Sequence, residues 1–268
     1  MFDFIIVVPI LPKDEIHLIL FLNKHSWIKK YNGTLLVKSQ IGLSISSKKM
    51  ISSYNYFLFE KNDSSLYDAW NQSIDYLLNI KINKNFYLTF LGLDDEINIE
   101  FILFNKKQIE LCNYDFIYGN AISIFNNKQR LIKLCSKPKL FSRGPFQYDI
   151  VNPGMLNRWS TIKEFKFNTN YSLAADLDFY IRIALVREVK FLFTTIIQSK
   201  IGSDGISQTP KSNHIYKIEE EKISKELNVI IISDKYRSIF LRTLSSFPNA
   251  YTYLRNLYWF FLDLKRRI

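Results

Sequence analysis

The chain has 268 residues and a formal net charge of +11, with 47% apolar and 16% aromatic residues. This composition supplies a sizeable core, excludes disorder as the default, and fits one large domain or one domain with an appendage. The basic surface favours nucleic acid, anionic lipid or phosphorylated ligands, and charge alone does not choose among them. The sequence contains no uncharged apolar stretch of about 18 residues, the length typical of a membrane span.

The two cysteines, Cys112 and Cys135, form neither a disulfide framework nor a metal-binding spacing. This usage fits a reduced, intracellular compartment. The first ten residues are apolar but include Asp3 and Pro9, and they lack the basic segment and cleavage site of a signal peptide. We therefore expect a cytoplasmic protein.

The first half of the chain alternates short apolar runs with amphipathic segments. The pattern predicts strands at residues 4–9, 34–38, 56–60 and 86–91, and helices at 14–22, 64–80 and 97–112. Helix 64–80 shows a 3.6-residue period, because Leu66, Trp70, Leu77 and Leu78 are predicted on one face with Ile74 beside them. Strands that alternate with helices indicate βαβ units, an α/β fold and a mainly parallel sheet.

The pattern changes after residue 113. Antiparallel strands are predicted at 116–125 and 130–135, joined by the polar turn Asn126-Asn127-Lys128. A helix over 172–186 and a strand over 191–201 follow. A charged helix is predicted over 218–227, and an aromatic-rich helix over 251–267.

The most informative short segment is Asp94-Asp95, which follows the apolar run 86–91. Two adjacent carboxylates repel each other and are costly beside an apolar sheet unless a positive charge accompanies them. A divalent cation is the usual partner, and ligands bind at the carboxyl ends of strands in open α/β sheets. The sequence thus predicts a metal and an anionic ligand here. The alternative is that these acids cap the helix beginning near Ile97.

Three segments, in this order, resemble the family 2 glycosyltransferases of the GT-A fold. They are Asp63-Ser64-Ser65-Leu66-Tyr67-Asp68-Ala69-Trp70-Asn71, then Phe90-Leu91-Gly92-Leu93-Asp94-Asp95, then Ala174-Ala175-Asp176-Leu177-Asp178-Phe179-Tyr180-Ile181-Arg182. Asn152-Pro153-Gly154-Met155 and Asp204-Gly205-Ile206-Ser207 add to the resemblance, which spans about residues 4–207. It implies a Rossmann-like, mostly parallel sheet flanked by helices, with a C-terminal helical extension.

The resemblance also implies a division of the chain and a reaction. Residues 1–112 would form the nucleotide-sugar-binding half, 113–210 the acceptor-binding half of the same domain, and 211–268 a basic, aromatic extension. The implied reaction is the inverting, metal-dependent transfer of a hexose from a nucleotide-diphosphate sugar, with a UDP-sugar favoured, to a hydroxyl group. Mn²⁺ or Mg²⁺ is the implied cofactor, because hard cations prefer carboxylate and diphosphate oxygens.

By resemblance, Asp95 binds the metal, Asp94 contacts the ribose or the metal shell, and Asp176 is the general base. Asp178 lies about 200° further around the same helix and cannot share that face. The other implied contacts with the nucleotide sugar are Pro9, Asp63, Tyr67, Asp68 and Asn71. The implied acceptor-side residues are Asn152, Gly154 and Arg182.

Some of these residues have structural alternatives. Ser65-x-x-Asp68 fits a capping box, so Asp68 either caps the helix or contacts the nucleotide, while Tyr67 and Asn71 could brace this turn. Asp176 could be an exposed acid of a first helical turn, and Arg182 could lie on a solvated face. The family also has an acid after the second strand that contacts the base, whereas residues 38–44 contain none.

The C-terminal segment 235–268 combines an apolar stripe with a cluster of Lys and Arg residues. Such a helix favours peripheral contact with an anionic membrane, and it could instead pack on the domain or on a second subunit of a homo-oligomer. We expect a lipid-linked or oligosaccharide acceptor in bacterial surface polysaccharide synthesis (lipopolysaccharide or capsule), at the inner face of the cell membrane. No nucleic-acid partner is expected. The competing functions are a nucleotidyltransferase and a non-enzymatic basic binding protein.

Overall fold

The computed structural model describes residues 3–31, 33–80, 82, 86–125, 128–132, 151–202, 210–229 and 231. Within these ranges the strands are β1 (Asp3–Ile10), β2 (Thr34–Ser39), β3 (Asn55–Glu60), β4 (Phe86–Phe90), β5 (Glu96–Ile97), β6 (Phe116–Phe125), β7 (Lys128–Ile132), β8 (Leu156–Arg158) and β9 (Phe191–Ile201). The helices are α1 (Glu15–Lys24), α2 (Ile45–Ile51), α3 (Leu66–Asn79), α4 (Ile99–Leu111), α5 (Trp159–Ile162), α6 (Ala175–Val186) and α7 (Pro210–Glu226), with 3₁₀ turns at Pro12–Asp14 and Ser26–Lys29.

The strands form one mixed sheet in the order β3-β2-β1-β4-β8-β6-β9-β5, and β7 pairs with β6. Strands β1 to β4 are parallel to one another, and β8 is antiparallel to both β4 and β6. Because β6 is parallel to β9, both strands run in the same direction as β4. The carboxyl ends of β1, β2, β3, β4 and β9 therefore meet at one edge of the sheet.

The core occupies both faces of the sheet. Alternate residues of β1 point to opposite faces, with Ile5 and Val7 in one apolar cluster and Phe4, Ile6 and Val8 in the other. Helices α3 and α6 cover the first cluster, and α1 and α4 cover the second. Strands buried on both faces explain the continuous apolar runs of the N-terminal half, and the α/β fold class is confirmed.

Most predicted elements are present with shifted ends. The predicted helix 97–112 begins at Ile99, because Glu96 and Ile97 pair with β9 instead. The predicted helix 172–186 begins at Ala175, because residues 172–174 are not helical. Elements α2, β8 and α5 were not predicted, since each is too short to show a hydrophobic period. The second hairpin strand is Lys128–Ile132, and residues 133–135 lie outside the described residues.

Helix α7 packs against the same core as α3 and α6. It starts at Pro210, eight residues before the predicted start at 218, and proline suits a first helical turn. Ile223 is fully buried in the first cluster, and Tyr216 and Leu227 pack against that cluster. The predicted aromatic helix at 251–267 lies outside the described residues. Across the described ranges, none of the helices combines the length and apolarity needed to cross a membrane.

Candidate active site

Asp94 and Asp95 lie at the carboxyl edge of the sheet, immediately beyond β4. The Asp95 side chain is buried, and its two oxygens accept hydrogen bonds from the backbone N–H groups of Gly92 (2.8 Å) and Gly202 (3.2 Å). Gly202 follows β9, which is separated from β4 by β8 and β6 in the sheet order. The buried carboxylate therefore ties together the ends of two separate strands.

Asp94 is exposed and packs directly against the backbone at Gly202. A Cβ atom on residue 202 would lie 2.5 Å from Asp94 Cβ and would overlap the Asp94 carboxylate. Glycine is required here by this close approach of side chain to backbone. The result is a pair of neighbouring carboxylates, one buried and one open to solvent.

The alternative in which Asp94 and Asp95 cap the next helix is wrong. The N-cap of α4 is Asn98, whose side-chain oxygen accepts a hydrogen bond from the backbone N–H of Glu100 (3.0 Å). Asp95 bonds to Gly92 and Gly202 instead. The acid pair therefore has no role in starting α4.

Burial raises the pKa of Asp95 to about 7, and the negative charge of Asp94 acts in the same direction. The N–H groups of Gly92 and Gly202 offset only part of this effect. Ionising Asp95 is therefore costly in this environment. A bound cation would relieve both the desolvation and the repulsion.

The donor set fits Mg²⁺ or Mn²⁺. Protein sites for Mg²⁺ commonly use one or two carboxylates and complete the shell with substrate phosphates and water. Each Asp95 oxygen accepts one N–H and keeps a further lone pair, and the Asp94 carboxylate is exposed. No group of three or more His, Cys, Asp or Glu side chains comes together among the described residues, so these two acids would supply the protein's share.

Asp63 lies in a polar cluster at the ends of β2 and β3. Its carboxylate forms a buried ion pair with Lys38 and accepts a hydrogen bond from Gln40 Nε2 (2.9 Å). Lys38 Nζ also donates to the carbonyl oxygen of Lys61 (2.5 Å), and Pro9 is aligned with Lys38 in the β1–β2 register. The family that the sequence resembles has an acid after the second strand, whereas this chain has Lys38 at the end of β2, and Asp63 neutralises it.

Asp68 lies in the first turn of helix α3, whose N-cap is Ser65. The Ser65 hydroxyl accepts a hydrogen bond from the Asp68 backbone N–H (3.2 Å), and Asp68 Oδ2 accepts one from the Ser64 backbone N–H (2.8 Å). Burial opposes ionisation of Asp68, but the hydrogen bonds from Ser64 and Gln72 outweigh it and lower its pKa. This reciprocal arrangement is a variant of the capping box anticipated from the sequence.

Tyr67 and Asn71 brace the segment that leads into α6. The Tyr67 hydroxyl donates to the Leu173 carbonyl oxygen (2.9 Å). The Asn71 amide donates to the Phe167 carbonyl oxygen (2.8 Å) and accepts from the Phe167 backbone N–H (2.7 Å). Tyr67 is also buried against Trp70 and Phe167. Both side chains therefore hold α3 against residues 167–173.

Asp176 lies in the first turn of α6 and is half-buried. Helix α3 begins just beyond the carboxyl end of β3, and its Tyr67 hydroxyl donates to Leu173, so we infer that Asp176 lies toward the same edge of the sheet as Asp95. Burial, and then the charge of Asp176, raise the pKa of Tyr67 and of Tyr180 well above the ordinary value. The Asp176 carboxylate therefore lies close to both phenols.

Asn152 and Gly154 form a tight turn beside α6. Asn152 is buried, and its side-chain oxygen accepts a hydrogen bond from the Tyr180 hydroxyl (2.7 Å). Its amide nitrogen has no hydrogen-bond partner among the described residues. Gly154 has a φ of +85°, and a Cβ atom there would lie 2.8 Å from Ser199 Cβ. A glycine is therefore required where this turn meets β9.

Arg182 pairs with Asp178. Its guanidinium donates to Asp178 Oδ2 (2.8 Å) and to the Lys166 carbonyl oxygen (2.5 Å). Asp178 is buried; burial raises its pKa, and Arg182 opposes that shift. The two acids of this helix therefore differ in environment, as the 200° separation predicts, with Asp178 used in the fold and Asp176 at the edge.

Sequence reasoning missed three residues that shape this edge. Around Lys38 the sequence shows only that an acid is absent. The pairing of Lys38 with Asp63 depends on the adjacency of β2 and β3. Gly202 follows a strand, and a glycine at that place signals close approach of another group. Glu219 on α7 accepts hydrogen bonds from the segment before α6, and no local pattern indicates that contact.

No protein-family profile matches the sequence, and no curated protein matches it. Crystal structures of S. aureus TarS are similar at 14% sequence identity. TarS 1–349 in complex with UDP-GlcNAc aligns with a TM-score of 0.57, over 93% of this chain and 75% of that chain. TarS 1–349 in complex with UDP gives a TM-score of 0.55, over 81% and 65% respectively. A further S. aureus TarS structure gives 0.55, over 92% of this chain and 44% of that chain.

The likeness to TarS, together with the mixed sheet flanked by helices, shows a GT-A-like, Rossmann-related glycosyltransferase fold. The described acids lie at the edge of the sheet where such folds bind ligands. The chain spans 65% of the TarS fragment crystallised with UDP and 44% of the further TarS chain.

Proposed function

We propose that this protein is a glycosyltransferase that moves a sugar from a nucleoside-diphosphate sugar to an acceptor hydroxyl group. The observation that carries the proposal is the placement of buried Asp95 beside exposed Asp94 at the carboxyl edge of a GT-A-like sheet. A cation would stabilise the ionised form of this buried acid beside a second acid, and a diphosphate would complete the shell of that cation. A cation held by these acids favours a nucleoside-diphosphate ligand over a neutral one.

A UDP-sugar is the favoured donor. S. aureus TarS, which shares the fold, was crystallised with UDP and with UDP-GlcNAc. We propose Asp95 and Asp94 as the residues that hold Mn²⁺ or Mg²⁺. When bound, the cation would neutralise the charge that grows on the departing diphosphate. Pro9 and the cluster around Asp63 lie at neighbouring strand ends, where the nucleoside would bind.

Asp176 is the proposed general base. It would accept the proton of the acceptor hydroxyl while that oxygen bonds to the anomeric carbon. The bond from this carbon to the diphosphate breaks, and its electron pair leaves with the nucleoside diphosphate. Attack from the face opposite the leaving group inverts the anomeric carbon. The position of Asp176 at the same edge as Asp95 supports this role, with Asn152, Gly154 and Arg182 on the acceptor side.

The wider setting extends this proposal. A hexose donor, a lipid-linked or oligosaccharide acceptor and a place in bacterial surface polysaccharide synthesis follow from the resemblance in the sequence. Peripheral contact with the inner face of the cell membrane, and possible homo-oligomer formation, would use residues 235–268, which lie outside the described residues. The basic character of that segment is the support for membrane contact.

The test is release of UDP from UDP-GlcNAc in the presence of Mn²⁺, with water or an added sugar acceptor as the nucleophile. We expect turnover by the native protein that EDTA abolishes. Asp176→Asn removes the base without changing shape and should lower kcat by about 100-fold or more. Undiminished turnover in Asp176→Asn would contradict the role of Asp176, and turnover unaffected by EDTA would contradict the metal site.

A further inference from the structure

The N-cap residue of helix α6 is Ala174, whose methyl side chain cannot accept a hydrogen bond, and the first helical residue is Ala175. Within the first turn, Asp176 Oδ1 accepts a hydrogen bond from the Leu177 backbone N–H (2.8 Å). Backbone N–H groups at a helix start need acceptors, and a start buried without them is costly. Asp176, the proposed base, is the second residue of this helix. Its position therefore depends on whatever fixes the residues immediately before the helix.

Glu219 from α7 accepts hydrogen bonds from the N-cap amide of α6 and from the two amides before it. One carboxylate oxygen accepts from the Ser172 backbone N–H (2.7 Å) and hydroxyl (2.8 Å). The other oxygen accepts from the backbone N–H groups of Leu173 (2.9 Å) and Ala174 (2.8 Å). Three consecutive amides thus converge on a single side chain. Both oxygens are needed, so an isosteric amide could not reproduce the contact.

Glu219 is held as an anion by these donors. It is 9% exposed, and among the described residues no lysine or arginine forms an ion pair with it. Burial opposes its ionisation, but the hydrogen bonds from residues 172–174 outweigh burial and lower its pKa. A buried carboxylate without a counter-ion is an expensive way to dock a helix, which points to a more specific use than packing.

The same segment is held from the opposite side by α3. The Tyr67 hydroxyl donates to the Leu173 carbonyl oxygen (2.9 Å), and the backbone of Asp176 hydrogen-bonds to Tyr67. Residues 172–176 are thus clamped between α3 and α7. Helix α7 has further anchors, because Glu226 accepts from the Tyr171 hydroxyl (2.5 Å) and Ile223 is fully buried.

We propose that Glu219 is a positioning residue for Asp176: by holding the amides of residues 172–174, it sets where the first turn of α6 places the Asp176 carboxylate. The inference rests on the proposed function, in which Asp176 accepts the acceptor proton. Helix α7, which follows β9 in the chain, would then help to form the active site. The residue acts through the backbone and does not touch the substrate.

The matched pair of variants is Glu219→Gln and Glu226→Gln. Each replaces a carboxylate on α7 by its isosteric amide. Glu219 accepts from three backbone amides, whereas Glu226 accepts from the Tyr171 hydroxyl and pairs with Lys222 at 3.7 Å. With UDP-GlcNAc and Mn²⁺, we expect Glu219→Gln to lower kcat by about 10- to 100-fold, the cost of a misplaced catalytic group. The KM for UDP-GlcNAc should stay within about twofold, and Glu226→Gln should change kcat by less than about twofold.

Hydrogen exchange gives a readout that is independent of turnover. In the native protein without ligand, the amides of Ser172, Leu173 and Ala174 should be protected although they lie outside the helix. Glu219→Gln should speed their exchange by about tenfold or more, and Glu226→Gln should leave it unchanged. Fast exchange of all three amides in the native protein would overturn the proposal without any variant.

The outcomes distinguish failure of the proposed glycosyltransferase function from failure of the positioning role of Glu219. If the native protein releases no UDP, or if Asp176→Asn stays active, the proposed function is contradicted whatever the amides show. If Asp176→Asn is inactive and Glu219→Gln matches Glu226→Gln in kcat, the positioning role of Glu219 is overturned alone. A rise in KM with unchanged kcat for Glu219→Gln would overturn it as well.

Discussion

Lys38 and Asp63 form a buried ion pair where β2 and β3 end, with the Lys38 side chain fully buried and the Asp63 side chain 6% exposed. Gln40 completes the set by donating to the second Asp63 oxygen (2.9 Å). Both oxygens of Asp63 are therefore engaged by the protein. The pair takes the place of the single acid that the sequence resemblance expects at this strand end.

Breaking this pair from one side should be strongly destabilising. Lys38→Met leaves the Asp63 carboxylate buried without a counter-charge, which costs about 3–5 kcal/mol. The double variant Lys38→Met/Asp63→Leu removes both charges and should recover most of that loss. Denaturant unfolding of the two single variants and the double variant measures the coupling. Equal stability of Lys38→Met and the native protein would show that the pair is not buried.

A methyl group at residue 202 should damage the cation site without removing an acid. In Gly202→Ala the new Cβ overlaps the Asp94 carboxylate, so Asp94 must move. We expect the affinity for UDP with Mn²⁺ to fall by about 10- to 100-fold, as when the support of a metal ligand is lost. Gly42→Ala is the matched control, because its Cβ would lie 3.9 Å from the nearest atom, Glu60 Oε1. Equal affinity in both variants would contradict the placement of Asp94.

His25 should make stability depend on pH. Its ring is buried; Nδ1 lies 2.8 Å from the Phe21 carbonyl oxygen, and Nε2 accepts from the Ile97 backbone N–H (3.1 Å), so it is held neutral. Burial lowers its pKa to about 4. In the unfolded chain His25 binds a proton near pH 6.5, whereas in the folded protein it does so only near pH 4. The free energy of unfolding is therefore not reduced by His25 above pH 6.5, and it decreases as pH falls toward 4. The loss is about 3 kcal/mol.

The check is the difference in unfolding free energy between pH 7 and pH 4 in the native protein and in His25→Gln. Glutamine can keep both hydrogen bonds but does not titrate. The change in unfolding free energy between pH 7 and pH 4 should therefore be smaller in His25→Gln by about 3 kcal/mol. His17→Gln, at an exposed position on α1, the helix that His25 follows, serves as the control. Parallel pH profiles for the native protein and His25→Gln would contradict a buried neutral imidazole.

The fold was predictable from the sequence where local patterns are strong. Strands β1 to β4 are buried on both faces and appear as continuous apolar runs, and α3 carries a clear helical period. The position of Asp94-Asp95 beyond the end of β4 was predictable because an apolar run precedes these acids in the sequence, whereas the bond from Gly202 to Asp95 was not. Short elements such as β8 and α5 carry too few residues for any period to appear.

The supporting contacts were not predictable, because they join segments that are distant in the chain. Glu219 bonds to Ala174 across 45 residues, and Gly202 bonds to Asp95 across 107. The sequence offered Tyr67, Asp68 and Asn71 as nucleotide contacts or as braces. In the structure Asp68 bonds to Ser64 at the start of α3, where Ser65 is the N-cap, and the other two brace residues 167–173. Such roles depend on tertiary neighbours that a single sequence does not specify.

The central claim is that Asp94 and Asp95 hold a cation that binds a nucleoside diphosphate. Calorimetric titration of UDP into the native protein and into Asp95→Asn, each with Mn²⁺ and with EDTA, tests it most directly. The account predicts that Mn²⁺ tightens UDP binding by about tenfold or more in the native protein and has no effect in Asp95→Asn. Equal UDP affinity with Mn²⁺ and with EDTA in the native protein, or an undiminished effect of Mn²⁺ in Asp95→Asn, would contradict it.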